Sequence, residues 1–412
     1  MLKRLAAIVF IFACTTVAWI ILGATVFSRT YSVGDRLEDK VSASWGSKQV
    51  QTAPTAAYFV PQTHTVQEHQ DGRDVTRTVT EQVPVPVPLD SSRISVALNL
   101  DYRQKGLLWY STYGVNFAGV YDFRNTSPKD ESVTFRLKFP AAQAVYDDLS
   151  VQTDGQSLPV KTDSSGVAAT VLVPAGKVVP VTFAYKSRGL DSWTYTFGDD
   201  ISQVHDFALD LKTNFKAVDF PADTLSPTEE REIPGGRDLI WKYNNLLSGL
   251  QIGTTMPEKL QPGPLAGQIS FFAPVSLFFF FFVMFIITTI RGIDLHPMNY
   301  FFLATAFFAF HLLMAYLVDH ISIHWAFAIC SAVSVFLVVS YLRLVVGLRF
   351  AAVEAGIAQL VYLVLFSYAF FFKGFTGLAV TIGSIVTLFV VMQMTGRIQW
   401  AEKFAPRTAE TA

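Results

Sequence analysis

Residues 290–302 read IRGIDLHPMNYFF, and the reading of this stretch decides the fold. A short, charged and turn-prone patch stands between two almost wholly apolar runs. Arg291 and Gly292 suit the end of one helix. Pro297 suits the first turn of the next, where its missing N–H is no loss. The residue ahead of a proline is pushed out of helical geometry, and that residue is His296. The stretch is a helix stop followed by a restart, and Asp294 and His296 are expected to form a wet interfacial turn.

Outward from this turn, apolar sequence runs nearly unbroken from Ser270 to Thr395, and a second run covers Leu5–Phe27. About 20 apolar residues span a bilayer core. Six membrane helices are therefore expected, near 5–27, 269–290, 297–318, 324–346, 352–372 and 376–395. They explain why 51% of the 412 residues are hydrophobic and only 16% charged. MLKR followed by an apolar run also fits a signal peptide, and Ile11-Phe12-Ala13-Cys14 resembles a lipoprotein cleavage site. The bulky Phe12 and the continuing run WIILGATVF favour an uncleaved anchor.

Lys and Arg favour the cytoplasmic side of a membrane. Lys3, Arg4, Arg291, Arg343, Arg349, Arg397, Lys403 and Arg407 all fall on one side in this arrangement, with Lys373 the exception. Both termini are then cytoplasmic. The expected organisation is an anchor helix at 1–27, an outer (periplasmic) domain at 28–268, a five-helix bundle at 269–396 and a cytoplasmic tail at 397–412.

The block at 28–267 holds 23 Lys+Arg against 28 Asp+Glu; the rest of the chain holds the remaining 9 of 32 and 5 of 33. A nucleic-acid binder should show a basic face, so no nucleic-acid partner is expected. The two cysteines, Cys14 and Cys330, both lie in apolar segments. The outer block has none, so core burial must stabilise it.

Period-two alternation marks strands. SRISVALNL, LLWYSTYGVNFAGVYDF, SVTFRLKF, GVAATVLVP, VVPVTFAYK, WTYTF and HDFALDLK all carry it or are rich in β-branched and aromatic residues. The fold class is thus α+β: six transmembrane helices with a β-rich domain of antiparallel sandwich type. Residues 31–48 suit a short helix leaving the membrane, and MPEKLQPGPLAG (256–267) a link back to it. The valine–proline alternation of TEQVPVPVPLD (80–90) suits an extended segment, not a central strand.

Chemistry is sparse in this block. G-x-S-x-G, H-E-x-x-H and C-x-x-C are all missing from the sequence. His64 and His69 read as parts of a polar loop, and His205 stands alone in a strand. The carboxylate pairs Asp199-Asp200 and Glu229-Glu230 read as solvated surface. Asn125-Thr126-Ser127 matches a glycosylation acceptor.

Ionisable groups within membrane helices are costly and are functional candidates by default. Here they are His311, Asp319, His320, His324 and Glu354, with Gln359 a turn deeper than Glu354. His296 and His320 are 24 residues apart, roughly 36 Å along a helix, so they cannot share a metal. A zinc site at Asp319, His320 and His324 would need an ordered loop and a further ligand. Glu354 reads as an interfacial ion-pair partner of Arg349. His311, near the middle of its helix, needs a partner or water; an interhelical hydrogen bond is the structural reading and a proton relay the functional one. No catalytic residue, metal or cofactor is expected.

The chain resembles the CreD family of bacterial inner-membrane proteins in three places. VSASWGSKQVQTAPTAAYFVP (41–61) resembles the stretch after the family's first helix. YRQKGLLWYSTYGVNFAGVYDF (102–123) resembles its basic-glycine strand pair. RGIDLHPMNYFFLATAFFAFHLLMAYLVDHISIHWAF (291–327) resembles its Leu-His-Pro helix and the acidic-His pair that follows, here Leu295, His296, Pro297, Asp319 and His320. Asp319 stands where the family has Glu, and His311 where it has an aromatic residue. The resemblance implies an inner-membrane location and a part in cell-envelope integrity or stress response. It implies partners in the lipid bilayer and among envelope proteins or cell-wall components. It implies no reaction.

Overall fold

The computed structural model describes residues 2–396 and 398, apart from 71–72, 107, 143, 199–201 and 373. The expectations for Asp199-Asp200, Lys373, Arg397, Lys403, Arg407 and the tail lie outside the described residues. The chain divides into two compact units. One comprises 1–36, 105–108 and 260–412; the other comprises 37–104 and 109–259.

The first unit is helical. Helix α1 is Leu2–Trp45, α2 Pro262–Arg291, α3 Pro297–Leu317 and α4 Ile323–Val345. Helix α5 covers Phe350–Phe371 and α6 Thr376–Thr395. All six carry a stretch long and apolar enough to cross a membrane.

One helix end differs from expectation, and one helix joins two expected pieces, the anchor at 5–27 and the short helix at 31–48. α1 runs 44 residues, well past its apolar stretch; Arg36, Leu37, Glu38 and Lys40 are good helix formers and no proline intervenes before Pro54. α2 starts at Pro262 and absorbs half of the expected link, because proline suits the first helical turn.

α1 lies along α2 through glycine. The Phe27 ring covers Gly267 and the Phe271 ring covers Gly23, so α1 and α2 approach closely and run antiparallel. α5 is not a uniform α-helix. Phe350–Ala355 and Leu360–Leu365 are π-helical, with the Gly356 N–H reaching Ala351 O and the Phe366 N–H reaching Val361 O. Such widened turns are frequent at functional positions. The bundle core is aromatic, with Phe280, Phe307, Phe310 and Tyr300 fully buried.

The second unit is β-rich. Its largest sheet has eight strands, in the order Glu229–Ile233, Gly236–Ser248, Ser202–Thr213, Leu89–Lys105, Leu108–Arg124, Val178–Leu190, Tyr146–Thr153 and Gln156–Ser157. A five-stranded sheet runs Arg73–Pro86, Thr55–Gln70, Glu131–Lys138, Gly166–Val173, Val160–Asp163. A three-stranded sheet joins Gln49–Thr52, Ser192–Thr196 and Ile252–Thr255. One hydrophobic core, rich in aromatic residues such as Tyr121, Phe183 and Trp241, serves this unit.

The expected strands are present. The sandwich is not purely antiparallel: Ser202–Thr213 runs parallel to Leu89–Lys105, and Gln49–Thr52 parallel to Ser192–Thr196. The valine–proline segment forms the outer strand of the five-stranded sheet, where a missing N–H costs no ladder bond. His64 and His69 are not in a loop. They lie in a long ribbon in which Ala57–Gln70 pairs with Arg73–Pro86; the Thr-Val-Thr alternation and the Asp71-Gly72 dipeptide were its sequence signals.

Candidate functional site

The stretch at 290–302 folds as a stop and restart. Gly292 takes a left-handed conformation at φ 70° and its N–H caps Thr288 O and Thr289 O. A glycine fits there because other residues resist positive φ. His296 is the N-cap of α3: its backbone is extended and its Nδ1 accepts a hydrogen bond from the Met298 N–H at 3.2 Å. Pro297 occupies the first turn, and Leu295 is fully buried in the bundle core. Asp294 is exposed and accepts from Arg4 Nη1 at 2.6 Å.

A second ion pair matches this one. Arg29 approaches Asp319 at 3.2 Å and also donates to Ala315 O at 2.7 Å. Both pairs join residues 290 apart in sequence. α1 and α3 therefore lie parallel and in register, tied at two points 25 residues apart, about 37 Å along a helix. That slightly exceeds a hydrocarbon core of about 30 Å, which puts each pair at an interface.

Asp319 is thus paired with Arg29 of α1. His324 rests against the Phe371 ring at 5.3 Å, and His320 is exposed. Among the described residues no three His, Cys, Asp or Glu side chains converge as a metal site. Glu354 pairs with Arg291, not with Arg349: α5 packs on α2, and that packing brings the end of α2 to the π-helical turn holding Glu354. The second Glu354 oxygen is buried without a partner.

His311 is fully buried. Its Nδ1 lies 3.1 Å from Phe307 O, one turn back on the same helix, so the expected interhelical bond is not made. Its ring sits among Trp19 of α1, Phe307 and Phe310, and its Nε2 has no hydrogen-bond partner. A separate polar chain crosses the bundle: Gln359 Nε2 donates to Ser334 Oγ at 2.8 Å, and Ser334 Oγ donates to Ala306 O at 2.7 Å. The Gln359 carbonyl oxygen is buried and unpaired. His311 faces α1 while Glu354 faces the end of α2, so the two do not share a site.

In the β-rich unit, Asn125 is fully buried and its amide donates to Lys129 O, Val173 O and Pro174 O. A side chain so enclosed ties two turns together and offers no nitrogen to a glycan. Glu229 pairs with Arg231, and Glu230 with Arg237, on the surface. A cleft of 750 Å³ opens beside the last turn of α1, lined by Trp45, Asp147, Lys186, Ser187 and Arg188 among others. Sequence reasoning missed it, because no motif joins residues 140 positions apart.

The membrane bundle matches the CreD family. The family model described as inner membrane protein CreD covers residues 271–401, the segment that holds Leu295, His296, Pro297, Asp319 and His320. The CreD match stops short of 41–61 and 102–123, on which the resemblance also leaned. No curated protein matches the chain. Among solved structures, a candidate nutrient binding protein from Legionella pneumophila is 12% identical, over 48% of this chain and 74% of that one, at a TM-score of 0.32. An M1 zinc metallopeptidase from Deinococcus radiodurans is 10% identical, over 41% of this chain and 42% of that one, at a TM-score of 0.28. The chain thus spans less than half of the metallopeptidase. At such TM-scores neither likeness carries an argument about the chemistry of this chain.

Proposed function

We propose that this is a non-enzymatic inner-membrane protein that supports cell-envelope integrity or the envelope stress response by binding or sensing through a periplasmic β-rich domain. The carrying observation is the architecture: a large β-rich unit with its own core is inserted between the first and second apolar helices. The Arg4–Asp294 pair supports the orientation, because it sets the start of α1 beside the basic α2–α3 turn. Partners in this reading are the bilayer, envelope proteins and cell-wall components.

A second reading is a transporter or lipid-handling protein. It is favoured by the unpaired His311 Nε2 and Gln359 oxygen in the bundle, since buried polar groups without partners are costly and invite a role. Against it, the apolar sequence after residue 268 carries no sign of an inverted repeat or of a broken segment pair of the transporter kind.

Complementation separates the two. A strain lacking the gene is challenged with detergent or a cell-wall antibiotic and given a His311→Leu, Glu354→Gln double variant, with abundance checked by blot. Rescue equal to wild type is expected. An abundant but inert variant would overturn the first reading and promote the second.

A further inference from the structure

We infer that the cleft beside Trp45 is a binding site for a neutral, hydroxyl-rich glycan segment. It deepens the binding role proposed above and rests on that reading for its biological meaning. The cleft lies within the β-rich unit, between the last turn of α1 and the strand Val178–Leu190. Gly46 makes the close approach: at φ 103° its Cα sits so near the strand that a Cβ would meet Arg188 O at 2.2 Å. The resulting 750 Å³ is within the usual range of small-ligand sites.

The charges select the ligand. Lys186 is neutralised by Asp148 at 2.7 Å. Arg188 and Asp147 line the same cleft, yet neither makes an ion pair among the described residues. Opposite charges that face one space without closing on each other suit a group that accepts from one and donates to the other, and a hydroxyl does both. An anion would be repelled by Asp147, and a cation by Arg188. Trp45 adds an apolar aromatic wall for the C–H face of a sugar ring.

The floor of the cleft is built. Gln49 is fully buried beneath it, and its Nε2 donates to Ser187 Oγ at 3.0 Å and Arg188 O at 2.9 Å. Ser187 Oγ therefore acts as an acceptor inward and keeps its own hydrogen for a ligand. The Gln49 carbonyl oxygen is buried without a partner.

The test uses the full chain in nanodiscs, titrated with chitotetraose and followed by calorimetry, with inorganic phosphate as the comparison. Saturable binding of the sugar is expected, with no competition from phosphate. Asp147→Asn and Arg188→Gln should each weaken it tenfold or more while the thermal unfolding midpoint stays put. Trp45→Ala should abolish it; because that change can disturb the end of α1, the two exposed-residue variants carry the decision. Lack of saturable binding, displacement by phosphate, or binding untouched by both variants overturns the site. If Asp147→Asn loses the sugar but still rescues the envelope challenge, the cleft stands as a binding site and its link to the envelope role falls. If wild type fails to bind, the cleft falls whatever the rescue shows.

Discussion

Single side chains in this protein take their meaning from what encloses them. Asn125 looks like a glycan acceptor in sequence and is a buried clamp in the fold, with its amide donating to three carbonyls and its Oδ1 accepting from the Ser127 N–H at 2.9 Å. Asn125→Ala should lower stability by about 3 kcal/mol, because it strands buried carbonyls; a thermal shift measured on the purified protein checks this. Asp163 is the opposite case, an exposed carboxylate. Hydrogen bonds from the Ser165 hydroxyl and N–H, then from Arg136, hold its pKa well below the ordinary 3.8. A depressed folded-state pKa gives stability that is present above the ordinary value and lost as pH falls below it. Asp163→Asn should therefore destabilise at pH 7, and its difference from wild type should shrink below pH ~4; unfolding midpoints across that range would show it.

Among elements, α1 is the one whose role the sequence describes least well. It reads as an anchor followed by a short helix leaving the membrane. In the structure it is a 44-residue helix, tied to α3 by Arg4–Asp294 and Arg29–Asp319 and packed on α2 through Gly23 and Gly267. The Arg29–Asp319 pair is about a third exposed at each side chain, so its net worth is about 1 kcal/mol or less. Its value lies in register. Asp319→Arg should lower folded yield in membranes, and Arg29→Asp added to it should restore that yield; a double variant no better than the single one would count against the pairing. α5 makes a related point. Its apolar pattern predicts a span, and the span is there, but nothing in that pattern marks the two π-helical stretches that flank Gln359. They reflect how α5 fits its neighbours.

At the scale of the whole molecule, six apolar spans and an inserted β-rich unit make an α+β membrane protein whose bundle matches the CreD family. The proposed orientation is directly measurable. A cysteine at Val160, in the β-rich unit, should react with an impermeant thiol reagent added outside intact cells. A cysteine at Asp294 should react only after the cells are opened. Reversed labelling would invert the topology and remove the periplasmic role with it.

The sequence alone determined the spans, the helix stop and restart at 290–302, the α+β class and most of the strands. It could do so because length, apolar periodicity, proline and glycine act over a few neighbouring residues. The tertiary structure decided the rest: that Glu354 meets Arg291, that His311 faces Trp19 with its Nε2 unpaired, that two strand pairs are parallel, and that Trp45 and Arg188 line one cleft. Those contacts join residues tens to hundreds of positions apart. Packing and charge complementarity select them only once the whole chain has closed, and local pattern carries no record of them.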